Sequence, residues 1–284
     1  MPDIRAIVVP YELGRLRDGV GLGPERLLEA GAESALAAAG ARVETELIEL
    51  KERSDNEIDD SFALIRLVSE RVRAAREAEA FPVVLSGSCF VAVGVVAGIG
   101  EPAPGVVWFD AHGDFNVPET SPSGYFDGMG LAVLTGDAWR ALASAVPGAS
   151  PLPETAVVLA GARDFDDAEE ERLEASAIRR VPPGALGDSP ALLSALEALD
   201  PPASGLYVHV DLDVLDIEEA RVNRYSAPGG ISGGELEARL RSLLTDGRVR
   251  AVSLTAYEPE GDAEARLPPI ASGLLSVIGE YAAG

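Results

Sequence analysis

The chain predicts a single α/β domain: three layers, α/β/α, around a central, mostly parallel sheet of about eight strands. Three observations carry that expectation. Short apolar runs alternate along the chain with Ala/Leu/Glu/Arg-rich stretches of helical character. The runs 82–85, 106–109 and 206–210 are apolar almost throughout, as central strands covered on both faces are. Acidic and polar residues gather at or just beyond the C-terminal ends of those runs, the rim where open α/β sheets bind ligands.

In chain order, strands are expected at Ile4–Val9, Val43–Leu50, Pro82–Leu85, Val106–Phe109, Ala156–Ala160, Ile178–Val181, Leu206–Val210 and Ala251–Thr255. Helices are expected at Pro24–Ala39, Ser61–Ala78, Gly128–Ser144, Asp166–Ala175, Pro190–Leu199, Ser232–Thr245 and Ala271–Ala282. Pro24 opens the first helix and Gly40 closes it, the usual punctuation. No linker, composition break or internal repeat divides the 284 residues, which suffice for a sizeable core, so 1–284 reads as one domain.

A net charge of −24 argues against a nucleic-acid or anionic-membrane partner, since either would call for a basic patch. Much of that charge is solvated surface, as around Asp166–Glu174 and Glu52–Asp60, but a cation site also needs acids. The single cysteine rules out an internal disulfide and fits a reducing compartment. There is no basic-then-apolar leader and no apolar run near twenty residues, so a soluble, cytoplasmic protein is expected.

Two clusters carry the chemistry. Asp110-Ala-His112-Gly-Asp114 follows the run ending at Phe109, and His209-Val-Asp211-Leu-Asp213 follows the run from Gly205. Alternation along a strand turns Asp110 and His112 to one side, and likewise Asp211 and Asp213. Four carboxylates converging without a cation would repel one another and take protons back. Two divalent ions remove that conflict and can turn a bridging water into hydroxide near neutral pH. Asp and His at strand ends also serve as plain loop caps. That reading suits a lone Asp better than five ligand-type residues in this arrangement.

The order of these motifs resembles the ureohydrolase (arginase/agmatinase) family, and the likeness covers nearly the whole chain. Gly19-Val-Gly-Leu-Gly-Pro24 is similar to that family's opening loop, and Leu85-Ser-Gly-Ser-Cys89-Phe-Val-Ala-Val-Gly94 matches its first metal loop in spacing. The resemblance implies an arginase-like fold with two Mn²⁺ ions bridged by hydroxide. Asp110 and Asp211 would bridge the ions, Asp114 and residue 89 would complete one shell, and His112 and Asp213 the other. Hard oxygen donors with an imidazole suit Mn²⁺.

Position 89 departs from the family, which has histidine there. A free cysteine is ordinarily a small buried apolar residue, but the loop puts Cys89 where a ligand belongs. As a thiolate it would weaken that ion's binding or favour a softer one. The chain resembles Nω-hydroxy-L-arginine amidinohydrolase-like members, which carry cysteine at this position. His209, two residues before the ligands, reads as a residue that supports a ligand from behind or simply as a hydrogen-bonded core histidine, not a ligand, and Asp216 as a loop-shaping residue.

The family's arginases use Asn and Ser at the positions of Asn116 and Ser123 to hold a substrate α-carboxylate. Asp166 and Glu169 fall on the acidic positions of the segment that takes the α-ammonium. Taken singly, these are a polar loop and an acidic helix start; jointly they imply a free α-amino acid substrate. Asp127 stands where the family has a proton-shuttling histidine. Ala256 stands where the family has a Glu that pairs with the guanidinium. Glu258 keeps the strand's facing and is the candidate to replace it, the other reading being a surface loop acid.

The expected activity is a binuclear manganese hydrolase cleaving a guanidino C–N bond. Nω-hydroxy-L-arginine (to ornithine and hydroxyurea) stands ahead of L-arginine (to ornithine and urea), with Asp114 as proton acceptor and Asp127 as proton donor. N-hydroxylation lowers the guanidine's basicity, so such a substrate needs an opposing carboxylate less. The alternatives are another guanidino or formimino acid, and a catalytically silent relative that binds an amino acid. The sequence does not set the number of subunits, although members of the family commonly assemble as homo-oligomers.

Overall fold

The computed structural model describes residues 3–100, 104–187 and 189–284. Its strands are β1 (Ile4–Val9), β2 (Tyr11–Glu12), β3 (Arg15–Leu16), β4 (Val43–Leu47), β5 (Phe81–Ser86), β6 (Gly105–Phe109), β7 (Val157–Ala160), β8 (Arg179–Val181), β9 (Leu206–Asp211) and β10 (Val249–Thr255). Eight of them form one parallel sheet in the order β4-β1-β5-β10-β9-β6-β7-β8, and β2 and β3 make a small antiparallel hairpin.

The helices are α1 (Gly23–Glu29), α2 (Ala32–Leu36), α3 (Glu57–Glu77), α4 (Ala92–Ile99), α5 (Gly130–Thr135), α6 (Arg140–Ala143), α7 (Asp167–Ala175), α8 (Pro183–Leu186), α9 (Ser189–Glu197), α10 (Gly233–Thr245) and α11 (Leu267–Ala283). Two cores result, one on each sheet face. Val83, Leu85, Val107, Phe109, Val208 and Val210 pack with α1, α2 and α8–α11. Val84, Val106, Trp108 and Tyr207, the alternate residues of the same strands, pack with α3–α7. Among the described residues no helix is long and apolar enough to cross a membrane.

The eight expected sheet strands are present, with ends shifted by a few residues; the longest shift is at β4, which stops at Leu47. Two expected helices are broken. The one at Pro24–Ala39 divides at Gly31, whose φ of +98° leaves the helical region, and its second piece ends at Leu36. The one at Gly128–Ser144 divides at Gly136, with φ +86°. The sequence reading did not foresee α4, a Val/Ala/Gly segment of low helix propensity. Tertiary packing settles it: a Cβ at Gly94 would come within 2.3 Å of the Ile65 carbonyl of α3, so glycine lets the two helices close.

Candidate active site

The four central strands β5, β10, β9 and β6 deliver their C-terminal ends side by side, and the site is built there. Cys89 lies in the turn after β5, Ala256 just past β10, Asp211 at the end of β9, and Asp110 immediately after β6. Alternation along a strand was the expected reason for Asp110 and His112 to converge. In the structure both lie beyond the strand, and a turn brings them together: His112 N–H donates to Asp110 Oδ1 at 2.7 Å. Asp213 likewise sits in a 3-10 turn whose N-cap is Asp211, with Asp213 N–H donating to Asp211 Oδ1 at 2.8 Å.

Those turns place the expected donors together. His112 Nδ1 lies 3.3 Å from Asp110 Oδ1 and 3.4 Å from Asp213 Oδ2. The Cys89 thiol donates to Asp211 Oδ2 at 3.0 Å. Donor atoms of Asp110, His112 and Asp213 all fall within 4.8 Å of one another, as do those of Cys89, Asp110 and His209. Asp114 adopts φ +47°, a left-handed conformation costing a non-glycine residue roughly 1–2 kcal/mol. Its carboxyl feels the charges of Asp110 and Asp127, and its buried Oδ2 has no hydrogen-bond partner.

Burial, with Asp213 beside it, pushes the Asp110 carboxyl up. Burial and neighbouring acids push Asp114 and Asp211 well up, and burial with Asp211 does the same to the Cys89 thiol. Burial works against Asp213 as well, but the adjacent His112 imidazole holds it below the usual range and is itself raised in return. This crowd of oxygen donors, one imidazole and one sulfur, in which a single imidazole offsets only Asp213 and the other carboxyls are pushed up, suits divalent cations. The unpartnered Asp114 oxygen is the observation that fits them best.

A cavity of about 320 Å³ opens above the cluster, lined by Cys89, His112, Asp114, Asp211 and Asp213 at its floor. Of the expected substrate residues, Asn116, Ser123, Asp166 and Glu169 also line it. Asn116 Nδ2 donates to Asp166 Oδ2 at 3.0 Å, so the two are mutually oriented. Glu169 is committed on one oxygen, accepting the Phe115 N–H at 2.9 Å, and burial pushes its carboxyl up to about 7. Asp127 lines the same cavity, accepts the Phe90 N–H on Oδ1 at 2.9 Å, and is pushed by burial up to about 7.

Glu258 is not brought to the cavity. Its carboxylate pairs with the Arg224 guanidinium, Nε to Oε2 at 3.2 Å, so the expected replacement for the missing guanidinium acid is engaged elsewhere. Ala256 lines the cavity in its stead, at φ +65°. His209 is wholly buried, stacked against Trp108 with ring centroids 3.8 Å apart, and burial pushes its imidazole down to about 3. One of its nitrogens nevertheless comes within 4.8 Å of the Cys89 sulfur and an Asp110 oxygen. Asp216 is a loop residue, its carboxylate accepting the N–H groups of Glu218, Gly229 and Gly230.

Several contributors carried no sequence signal. Asn223 donates to Asp213 Oδ2 at 3.1 Å and to the Ala256 carbonyl at 3.0 Å, tying two strand ends together. Tyr125 and Tyr225 form one wall, with ring centroids 5.8 Å apart. The Tyr125 hydroxyl donates to the buried Glu12 of the β2–β3 hairpin at 3.0 Å. Arg163 donates to six backbone carbonyls, those of Gly161, Asp213, Val214, Leu215, Ala227 and Pro228. It thereby holds the turn that carries Asp213.

Fold and site together define an α/β/α protein with a buried, acid-rich pit, suited to divalent cations, at the carboxyl edge of a parallel sheet. The arginase family profile matches residues 2–275. The arginase of Bacillus subtilis (strain 168) is 30% identical over 268 residues, 90% of each chain, and that of Bacillus caldovelox 29% over 298 residues, 99% of each. The crystal structure of arginase from Bacillus cereus superposes with a TM-score of 0.88 at 28% identity over 98% of both chains. The chain belongs to the arginase family, and with it to the hydrolases that act on amidine C–N bonds.

Proposed function

We propose that the chain is a binuclear manganese hydrolase that cleaves the guanidino C–N bond of a free arginine-like α-amino acid, with Nω-hydroxy-L-arginine ahead of L-arginine. One observation carries the reading: a single cavity joins the acid cluster at its floor to Asn116, Ser123 and Asp166, and no carboxylate occupies the place of Ala256. Cys89, Asp110, His112, Asp114, Asp211 and Asp213 would hold two Mn²⁺, which supply a nucleophile from water near neutral pH and Lewis acidity at the reacting carbon.

The side chains do the rest. Ser123 and the remaining Nδ2 hydrogen of Asn116, whose other one goes to Asp166, offer uncharged donors to the substrate α-carboxylate. Asp166, oriented by Asn116, faces the α-ammonium, and Glu169 backs it while holding the Phe115 amide. Asp114 has a free carboxylate oxygen to take the proton from the attacking water. Asp127, raised by burial to about 7 although the Phe90 and Cys89 N–H groups and the Ser88 hydroxyl bind it, carries a proton near neutral pH to give to the leaving amine. Ala256 leaves the guanidino end without a charged partner, which a less basic N-hydroxyguanidine tolerates better than a guanidinium does.

The test is metal content measured alongside urea and hydroxyurea release from Nω-hydroxy-L-arginine, L-arginine and agmatine. Two Mn²⁺ per chain and fastest turnover of the hydroxylated substrate are expected. Faster arginine hydrolysis overturns the substrate assignment. Under one ion per chain, with no turnover after Mn²⁺ loading, overturns the enzyme reading in favour of a silent amino-acid binder.

A further inference from the structure

Beneath α4, the sheet face carries a column of polar side chains that the reaction does not touch. Tyr207 and His209 of β9 and Ser253 and Thr255 of β10 are essentially without exposure, yet they are connected end to end. The Tyr207 hydroxyl meets Ser253 Oγ and lies 3.0 Å from His209 Nδ1. His209 Nε2 lies 3.4 Å from Thr255 Oγ1, and Thr255 Oγ1 lies 3.2 Å from the Cys89 sulfur. Trp108 stacks on the imidazole at an interplanar angle of 22° and directs its own N–H to Asp110 Oδ2 at 2.9 Å. Aliphatic residues would fill this layer without any polar group to satisfy, so the column calls for a reason.

Proton accounting supplies one. With a protonated sulfur, Cys89 donates to Asp211 and the Thr255 hydroxyl donates to the Val210 carbonyl at 3.3 Å. A sulfur bound to a cation has no proton to donate and becomes an acceptor. The Thr255 hydroxyl, 3.2 Å away, would then be the donor within reach of it. Thr255 oxygen is supplied in turn by His209 Nε2–H, His209 Nδ1 by the Tyr207 hydroxyl, and Tyr207 oxygen by Ser253. A single imidazole tautomer satisfies every member, and every donor points toward the sulfur.

We propose that His209 is a positioning residue for Cys89: through the Thr255 hydroxyl it presents a hydrogen-bond donor to the sulfur when that sulfur serves as a metal ligand. The inference rests on the reading of Cys89 as a ligand given above. The relay orients the sulfur and disperses its charge with neutral dipoles, in a site already crowded with carboxylates. Partners behind a ligand commonly set metal affinity by about ten- to a hundredfold.

Co²⁺ titrated without oxygen into the metal-free full-length protein tests this, with its dissociation constant and the thiolate-to-cobalt charge-transfer absorption read together. Thr255→Val removes the bridging hydroxyl while keeping its shape, and His209→Phe keeps a ring beneath Trp108 while removing both nitrogens. Each is expected to weaken the sulfur-bound ion by about ten- to a hundredfold and to move the absorption band. Thr255→Ser and His209→Gln, which keep a donor, are expected to restore both. Should His209→Phe not fold, the Thr255 pair decides. A band and an affinity that Thr255→Val leaves unchanged overturn the relay alone. Absence of the band in the unmodified protein overturns the ligand reading of Cys89, and the relay with it.

Discussion

Asp127 accepts the backbone N–H of Phe90 at 2.9 Å, one residue past Cys89, so the acid is tethered to the loop that carries the sulfur. Burial raises it from an ordinary 3.8 to about 7, and raises Glu169 from 4.5 to about 7. In the metal-free chain both bind protons more tightly folded than unfolded. Their stabilising contribution is complete below the unfolded values and is lost as pH rises through the folded ones. The metal-free protein is therefore expected to melt at a lower temperature at about pH 8 than at about pH 5. Asp127→Asn should flatten that dependence, as followed by thermal melts across the range; an unchanged slope refutes the assignment.

Manganese should reverse the trend. Its donors must shed protons to bind it, so the rise in melting temperature on adding Mn²⁺ is expected to grow with pH. An ion present at a hundredfold excess over its Kd stabilises by about 2.7 kcal/mol. Asp211→Ala, which removes a proposed bridging carboxylate, should abolish most of that gain and bring elemental analysis below one ion per chain.

Ala256 and Glu258 make opposite predictions. Glu258→Ala breaks a pair with Arg224 outside the cavity and should leave KM within about twofold, at a stability cost of about 1 kcal/mol or less. Ala256→Glu puts a carboxylate at the guanidino end and should move kcat/KM toward L-arginine by about tenfold or more relative to the hydroxylated substrate. Competition assays with both substrates read the ratio directly.

Arg163 should prove indispensable to the Asp213 turn. Arg163→Lys retains the charge but cannot reach six carbonyls, and a loss of roughly 2–4 kcal/mol is expected, with a drop in metal content. Urea titration and elemental analysis of the variant measure the two effects separately.

The sheet was legible because its central strands are apolar on both faces and the punctuation between them is sharp. The donors were legible because Asp110, His112, Asp114, Asp211 and Asp213 stand in two short motifs. What escaped depends on contacts between distant segments. Asn223 reaches Asp213 only because two strand ends meet, Glu12 reaches Tyr125 across 113 residues of sequence, and Glu258 faces Arg224 in place of the cavity. Local period cannot report such encounters. The breaks at Gly31 and Gly136 could have been read, since a glycine within a helical stretch is itself a warning.

The strand order has a further consequence. β5 and β6 contribute Cys89, Asp110, His112 and Asp114, β9 contributes Asp211 and Asp213, and β10 threads between β5 and β9. Each proposed ion is thus clasped by both halves of the polypeptide. A backbone nick between β8 and β9 would leave two fragments, neither holding the complete donor set of either ion, and chelation would remove the staple that helps keep them paired.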